Sequence, residues 1–138
     1  HSRKNGVYFI TAVTHNRRPW FRDFVLARTL SRMLEDPAIL RDARNLCWVV
    51  MPDHVHVLLQ VDTISISEAV GRIKSISAKI LNRSLKRTGP IWAPGFYDHA
   101  LRDDESLRAT ARYIVAKPVR ATLAPTPAQY PFWNTIYL

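Results

Sequence analysis

The apolar positions along the chain change period several times. Val7-Tyr8-Phe9-Ile10-Thr11-Ala12-Val13-Thr14 is rich in β-branched and aromatic residues and predicts a strand, closed by the polar, basic turn His15-Asn16-Arg17-Arg18-Pro19. From Phe24 to Leu34, Val25, Leu26, Leu30, Met33 and Leu34 recur at helical spacing, until Asp36-Pro37 interrupts them. Leu46–Met51 reads as a second strand and His54–Val61 as a third; the link Pro52-Asp53 makes the pair an antiparallel hairpin. Ser67 through Leu85 carries Val70, Ile73, Ile76, Ile80 and Leu81 on one stripe, an amphipathic helix with Arg72, Lys74, Lys79, Arg83 and Lys86 between them. Phe96–Leu101 predicts a fourth strand after the stiff connector Pro90–Gly95. Asp103 or Asp104 is placed to cap a last helix from about Glu105 to Ala116, which Pro118 would stop.

The order β-α-β-β-α-β-α predicts an α+β fold. Its first six elements match a ferredoxin-like split βαβ sandwich on an antiparallel sheet, and the additional C-terminal helix carries Tyr113. Residues 1–124 form the expected domain. Residues 125–138, with Pro125, Pro127 and Pro131, form an extended tail that Phe132, Trp133 and Tyr137 would pack back onto it.

Composition narrows the function classes. At 138 residues, 47% hydrophobic and 22% charged, the chain has the make-up of one globular domain. No apolar run approaches a membrane span, and no apolar signal region follows the basic N-terminus. Twenty Lys and Arg against eleven Asp and Glu leave a charge of +9, which favours a polyanionic partner through counterion release. The single Cys47 excludes an internal disulfide and a thiolate zinc knuckle, and fits a cytoplasmic protein.

Two features carry candidate chemistry. Side chains alternate across a strand, so His54 and His56 leave one face while Val55 and Val57 turn to the core. On an open face such a pair can chelate one divalent metal, or serve as surface hydrogen-bonding groups. Leu58 stands where a third alternating histidine would have indicated a nucleotide hydrolase with a histidine nucleophile. On the last helix, Leu107, Ala111, Ile114 and Val115 share the stripe that should face the sheet. Tyr113 lies off that stripe, on the side of Lys117, where it can present its hydroxyl to a cleft or pack on the sheet's flank.

Met51-Pro52-Asp53-His54-Val55-His56-Val57-Leu58-Leu59 resembles the signature of the REP-associated tyrosine transposases, relatives of the single-tyrosine HUH transposases. Tyr113-Ile114-Val115-Ala116-Lys117-Pro118-Val119-Arg120-Ala121 resembles their second signature. Trp92, Gly95–His99 and Leu101-Arg102-Asp103 match their central segment, and Tyr8–Thr11 with Arg17–Phe21 their beginning. The resemblance covers nearly the whole chain in order and spacing.

It implies a metal-dependent single-stranded DNA endonuclease and strand-transferase acting beside a folded hairpin at palindromic repeats, as a monomer or a homodimer. Tyr113 would be the nucleophile, His54 and His56 the ligands of Mg²⁺ or Mn²⁺, and the tyrosine would take the 5′-phosphate. The family usually has an amide side chain, often asparagine, one turn after the tyrosine to complete the metal site. This chain has Lys117, which has no acceptor. Gln60, His15 or His99 could supply the third ligand; Lys117 could contact the scissile phosphate; or cleavage could be lost and a DNA-hairpin binder remain. Arg17, Arg18, Arg72, Lys74, Lys79, Arg83, Lys86 and Arg87 are candidates for DNA phosphates. Trp20, Trp92 and Phe96 are candidates for stacking on unpaired bases.

Overall fold

A computed structural model describes residues 6–102 and 105–137. The strands are β1 (Val7–Val13), β2 (Ala43–Met51), β3 (His54–Val61), β4 (Tyr97–Ala100) and β5 (Trp133–Thr135). The helices are α1 (Phe24–Met33), α2 (Pro37–Leu40), α3 (Ile66–Leu85), α4 (Leu107–Val115) and α5 (Lys117–Arg120), with short 3-10 turns at His15–Arg17, Trp20–Arg22 and Pro127–Gln129. The sheet order is β4-β1-β3-β2-β5 and every pairing is antiparallel. β1 therefore runs parallel to β2 with β3 between them, and β3 parallel to β4 with β1 between them. That is the split βαβ arrangement expected from the sequence.

Strand alternation divides the interior in two. Tyr8, Ile10, Ala12, Trp48, Val50, Val55, Val57, Leu59 and Val61 face α1 and α3 in the larger core. Phe9, Cys47, Val49, Met51 and Leu58 turn the other way, under Ala111 and Ile114 of α4. A register shift between Asn45 and Cys47 brings Leu46 into this second cluster beside Cys47.

Local boundaries differ from the sequence reading where side chains close backbone groups that hydropathy does not register. β2 begins at Ala43 and runs through Arg44 and Asn45, because its pairing with β3 reaches Val61. Ser65 starts α3 with a reciprocal capping box to Glu68. Asp103 and Asp104 lie outside the described residues, as does the basic stretch 1–5; Ser106 caps α4, accepting a hydrogen bond from Ala109 N at 3.0 Å. Pro118 sits in the first turn of α5, where its missing N–H needs no partner, so the chain turns there into a second short helix. The fifth strand, absent from the sequence reading, adds Trp133–Thr135 to the β2 edge. Tyr130 Oη donates to Val50 O, and Trp133 Nε1 to Pro127 O at 2.8 Å. No helix among the described residues is long and apolar enough to cross a membrane.

Candidate active site at the histidine pair and Tyr113

The pairing registers set the site. His56 stands between Thr11 of β1 and Val49 of β2, and His54 between Val13 and Met51. Both imidazoles project from the sheet face that α4 covers, with ring centroids 4.8 Å apart. That face is not open: His56 is only 7% exposed, because the second core surrounds it. α4 brings Tyr113 over the same face, and Phe9 bridges the two groups. Its ring centroid is 5.4 Å from His56 and 6.0 Å from Tyr113. Ala111 and Ile114 hold α4 down, while Tyr113 stays 48% exposed at the rim.

Each imidazole is oriented from behind. Asp53 Oδ1 lies 2.7 Å from His54 Nδ1, and Thr11 Oγ1 lies 2.8 Å from His56 Nδ1. A carboxylate can only accept, so His54 donates from Nδ1, and its neutral form keeps a lone pair on Nε2. The His56 tautomer that donates to Thr11 leaves Nε2 likewise free, and that atom is buried with no hydrogen-bond partner among the described residues. Burial first, then the charges of His54, Lys117 and Arg120, push the His56 pKa down to about 3, so the ring is neutral. His54 is also lowered, by burial foremost, with Lys117 and Arg17 adding to the effect against the opposing pull of Asp53. For Asp53, burial pulls upward, but the hydrogen bond and charge of His54 and the nearby Arg17 prevail and hold it below the usual carboxylate range. Two imidazoles anchored through Nδ1, one of them with an orphaned Nε2, have donor chemistry that fits a divalent metal. Among the described residues, no group of three His, Cys, Asp or Glu side chains is placed to hold a metal.

The third-ligand candidates stand elsewhere. Gln60 is four residues beyond His56 on β3, about 13 Å along the strand, at an exposed position. His99 Nε2 is 2.9 Å from Glu105 Oε2 at the β4 edge. His15 lies in the turn after β1. Lys117 is half-buried and close enough for its charge to lower both histidines.

Arg120 had no role in the sequence reading beyond its place in a motif. Its guanidinium carbon sits 4.1 Å from the Tyr113 ring centroid, and Nη2 donates to Tyr113 O at 2.7 Å. This satisfies a carbonyl of the last turn of α4, which the following turn does not continue. Thr11 and Asp53 were likewise assigned no part. The parity of Thr11 with Phe9, and the position of Asp53 against His54, were the available signals.

The basic candidates divide. Arg17, held in the left-handed region at φ 54, puts Nη1 3.3 Å from Asp53 Oδ2. Arg18 and Arg87 flank Trp20, at 4.3 and 5.0 Å from its ring. Lys79 and Arg83 are exposed on α3 and Arg72 is half-buried. Lys74 is committed inward, donating to Ala93 O at 2.8 Å and Gly95 O at 2.6 Å. Trp92 is a core residue whose Nε1 donates to Ser77 Oγ at 2.9 Å, and Phe96 packs against that core, so Trp92 offers no face to a base.

The geometry is that of an antiparallel ferredoxin-like sheet with paired histidines on its central strand and the helix bearing a tyrosine over them. The profile of the family described as "Transposase IS200 like" matches residues 2–117, and the chain belongs to that family. It is 28% identical over 135 residues to the "REP-associated tyrosine transposase" of Escherichia coli (strain K12), covering 94% of this chain and 76% of that protein. A Haemophilus influenzae relative is 23% identical over 142 residues, covering 94% of this chain and 79% of its own. Among solved structures, that of a REP-associated tyrosine transposase bound to a REP hairpin is similar in fold, with a TM-score of 0.74 at 24% identity. The similarity spans 96% of this chain and 78% of that one.

Proposed function

We propose that the protein cuts and rejoins single-stranded DNA beside hairpin-forming palindromic repeats, in the cytoplasm, through a covalent 5′-phosphotyrosine on Tyr113. The observation that carries this reading is the shared face: Phe9 touches both the buried His56 ring and the exposed Tyr113 ring. The relatives' designation as REP-associated transposases, and the hairpin bound to the neighbouring fold, support the choice of DNA.

His54 and His56 would hold Mg²⁺ or Mn²⁺ through their free Nε2 atoms, the second ion being more tolerant of imidazole. Bound there, the ion would polarise the scissile phosphate and stabilise charge on its oxygens. The protein's own groups supply the rest. Tyr113 Oη attacks phosphorus as its proton is lost; the bond from phosphorus to the 3′-oxygen breaks, and that oxygen takes up a proton. One phosphodiester is exchanged for another, so a 3′-hydroxyl can reverse the step without an energy source. Arg120 stacks its guanidinium on the tyrosine ring and helps to fix it. Lys117 and Arg120 place two cations beside the histidines, suited to neutralise the phosphate.

Incubation with Mn²⁺ and a labelled single-stranded hairpin oligonucleotide should give a denaturation-resistant adduct that Tyr113→Phe abolishes. Cleavage that survives Tyr113→Phe would sink the proposal in favour of a water-using phosphodiesterase. A second reading, a DNA-hairpin binder without cleavage, draws on Lys117, whose charge opposes a cation at the histidines. Hairpin binding with no cleavage under any divalent ion would select it.

A further inference from the structure

Tyr97 opens the edge strand β4 and is 73% exposed, more than any packing role requires. Its cross-strand partner is Thr11, whose other neighbour is His56, so the three stand in one row on the site face. Just before it the chain bows away from β1. Trp92 bridges Thr14 and Tyr97 pairs with Thr11, which leaves residues 93–96 against only Ala12 and Val13. Between the bow and the strand lies a cavity of about 380 Å³, lined by Thr11, Val13, Arg17, Gly95, Phe96 and Tyr97 among others.

The cavity is preformed. Lys74 staples the bow by its two carbonyl contacts, Ala93 N donates to Val13 O at 2.9 Å, and Gly95 takes φ +72, which a side chain would disfavour. Two of its walls are joined to the histidines. Thr11 bonds His56, and Arg17 pairs with the same Asp53 that holds His54. Among the described residues no acidic side chain lines it. Its volume falls in the roughly 300–1,000 Å³ range of small-ligand sites.

We propose that this cavity receives one unpaired nucleobase, belonging to a nucleotide next to the scissile phosphate, with the base stacked on Tyr97 and its phosphate drawn to Arg17. An aromatic ring, a guanidinium and no carboxylate suit a nucleotide, and the free outer edge of β4 lets a single strand pass where a base pair would not enter. The identity of that nucleotide as the neighbour of the cleaved bond rests on the strand-cleavage reading; the base pocket does not.

The test uses the full chain carrying Tyr113→Phe and a fluorescein-labelled oligodeoxythymidylate 15-mer substituted with 5-iododeoxyuridine. Irradiation should crosslink Tyr97, located by peptide mass spectrometry, and the same oligomer annealed to its complement should crosslink far less. Tyr97→Ala should weaken binding of the single strand by about 5- to 100-fold, the worth of one stacked base, while Tyr97→Phe stays within about threefold. Unchanged affinity in Tyr97→Ala overturns the proposal, as does crosslinking confined to residues outside the cavity, such as Trp20, or equal crosslinking of the duplex. Adduct formation plays no part in the readout, so failure of the cleavage reading would be told apart from failure of this one.

Discussion

The two faces of one sheet have been put to opposite uses. On the face under α1 and α3, every inward chain of β3 is apolar: Val55, Val57, Leu59 and Val61 are all buried. On the other, the intervening positions are His54, His56, Leu58 and Gln60, of which the nine-residue α4 and the C-terminal segment leave Gln60 exposed and His54 half-buried. The long helix α3 spans twenty residues and can dry its whole face; α4 covers part of its own and leaves a rim. A single strand thus supplies apolar core from one parity and the proposed chemistry from the other. The Nε2 of His56 is buried with no hydrogen-bond partner among the described residues, a cost that the apolar first face can offset.

The largest expected effect tests that division. Leu59 is wholly buried in the larger core, so Leu59→Ala should cost about 2–5 kcal/mol in denaturant unfolding. Tyr113→Phe, at an exposed rim position, should change stability by no more than about 0.5 kcal/mol. Comparable losses in the two variants would mean that the faces do not divide stability from chemistry.

A smaller effect lies in the second core. Burial pushes the Cys47 thiol up to about 11 from 9.0, against a weaker opposing hydrogen bond from Thr135. The folded state therefore prefers the protonated thiol. Its contribution is complete below pH 9 and is lost as pH rises towards 11, because the unfolded chain ionises first. The two-unit difference corresponds to about 3 kcal/mol at most. Chemical denaturation from pH 8 to 11 should show a decline that is reduced in Cys47→Ala; parallel curves would refute the assignment.

Thr11→Val keeps volume but removes the hydroxyl at His56 Nδ1. A lost anchor behind a metal ligand typically costs 10- to 100-fold in affinity, so Mn²⁺ binding by calorimetry should weaken by about that factor. Unaltered affinity would show that His56 needs no such support, and that the row from Tyr97 through Thr11 to His56 is not coupled.

Much of this was legible in the sequence because it depends on parity and period. The alternation His54-Val55-His56-Val57 assigns both faces of β3, and the stripe Leu107, Ala111, Ile114 and Val115 leaves Tyr113 off the sheet-facing side of its helix. What escaped depends on tertiary pairing. Lys74 reads as a surface charge from its helix, yet it is spent on the backbone of residues 93 and 95. Trp133–Thr135 is too short, beside Pro131, to announce a strand, and becomes one only against β2. The Arg120 stack forms because Pro118 starts a second turn that folds the guanidinium back over Tyr113, a reversal hydropathy does not encode.

Lys117 gives the smallest predicted effect and the sharpest division of roles. Its ammonium depresses both histidines, so it repels a divalent ion at the place where their Nε2 atoms would bind one. Lys117→Ala removes that repulsion alone, whereas Lys117→Asn removes it and adds an oxygen donor. Mn²⁺ affinity of the DNA-free protein should therefore rise in the order Lys117, Ala, Asn, by about tenfold over the series. Affinity for single-stranded DNA at fixed salt should move the other way, since a cation facing phosphate is lost. If all three proteins bind Mn²⁺ equally, Lys117 stands outside the metal's field. If Mn²⁺ affinity rises but adduct formation falls, the lysine is serving the phosphate, and the chemical face has exchanged a metal ligand for a fixed charge.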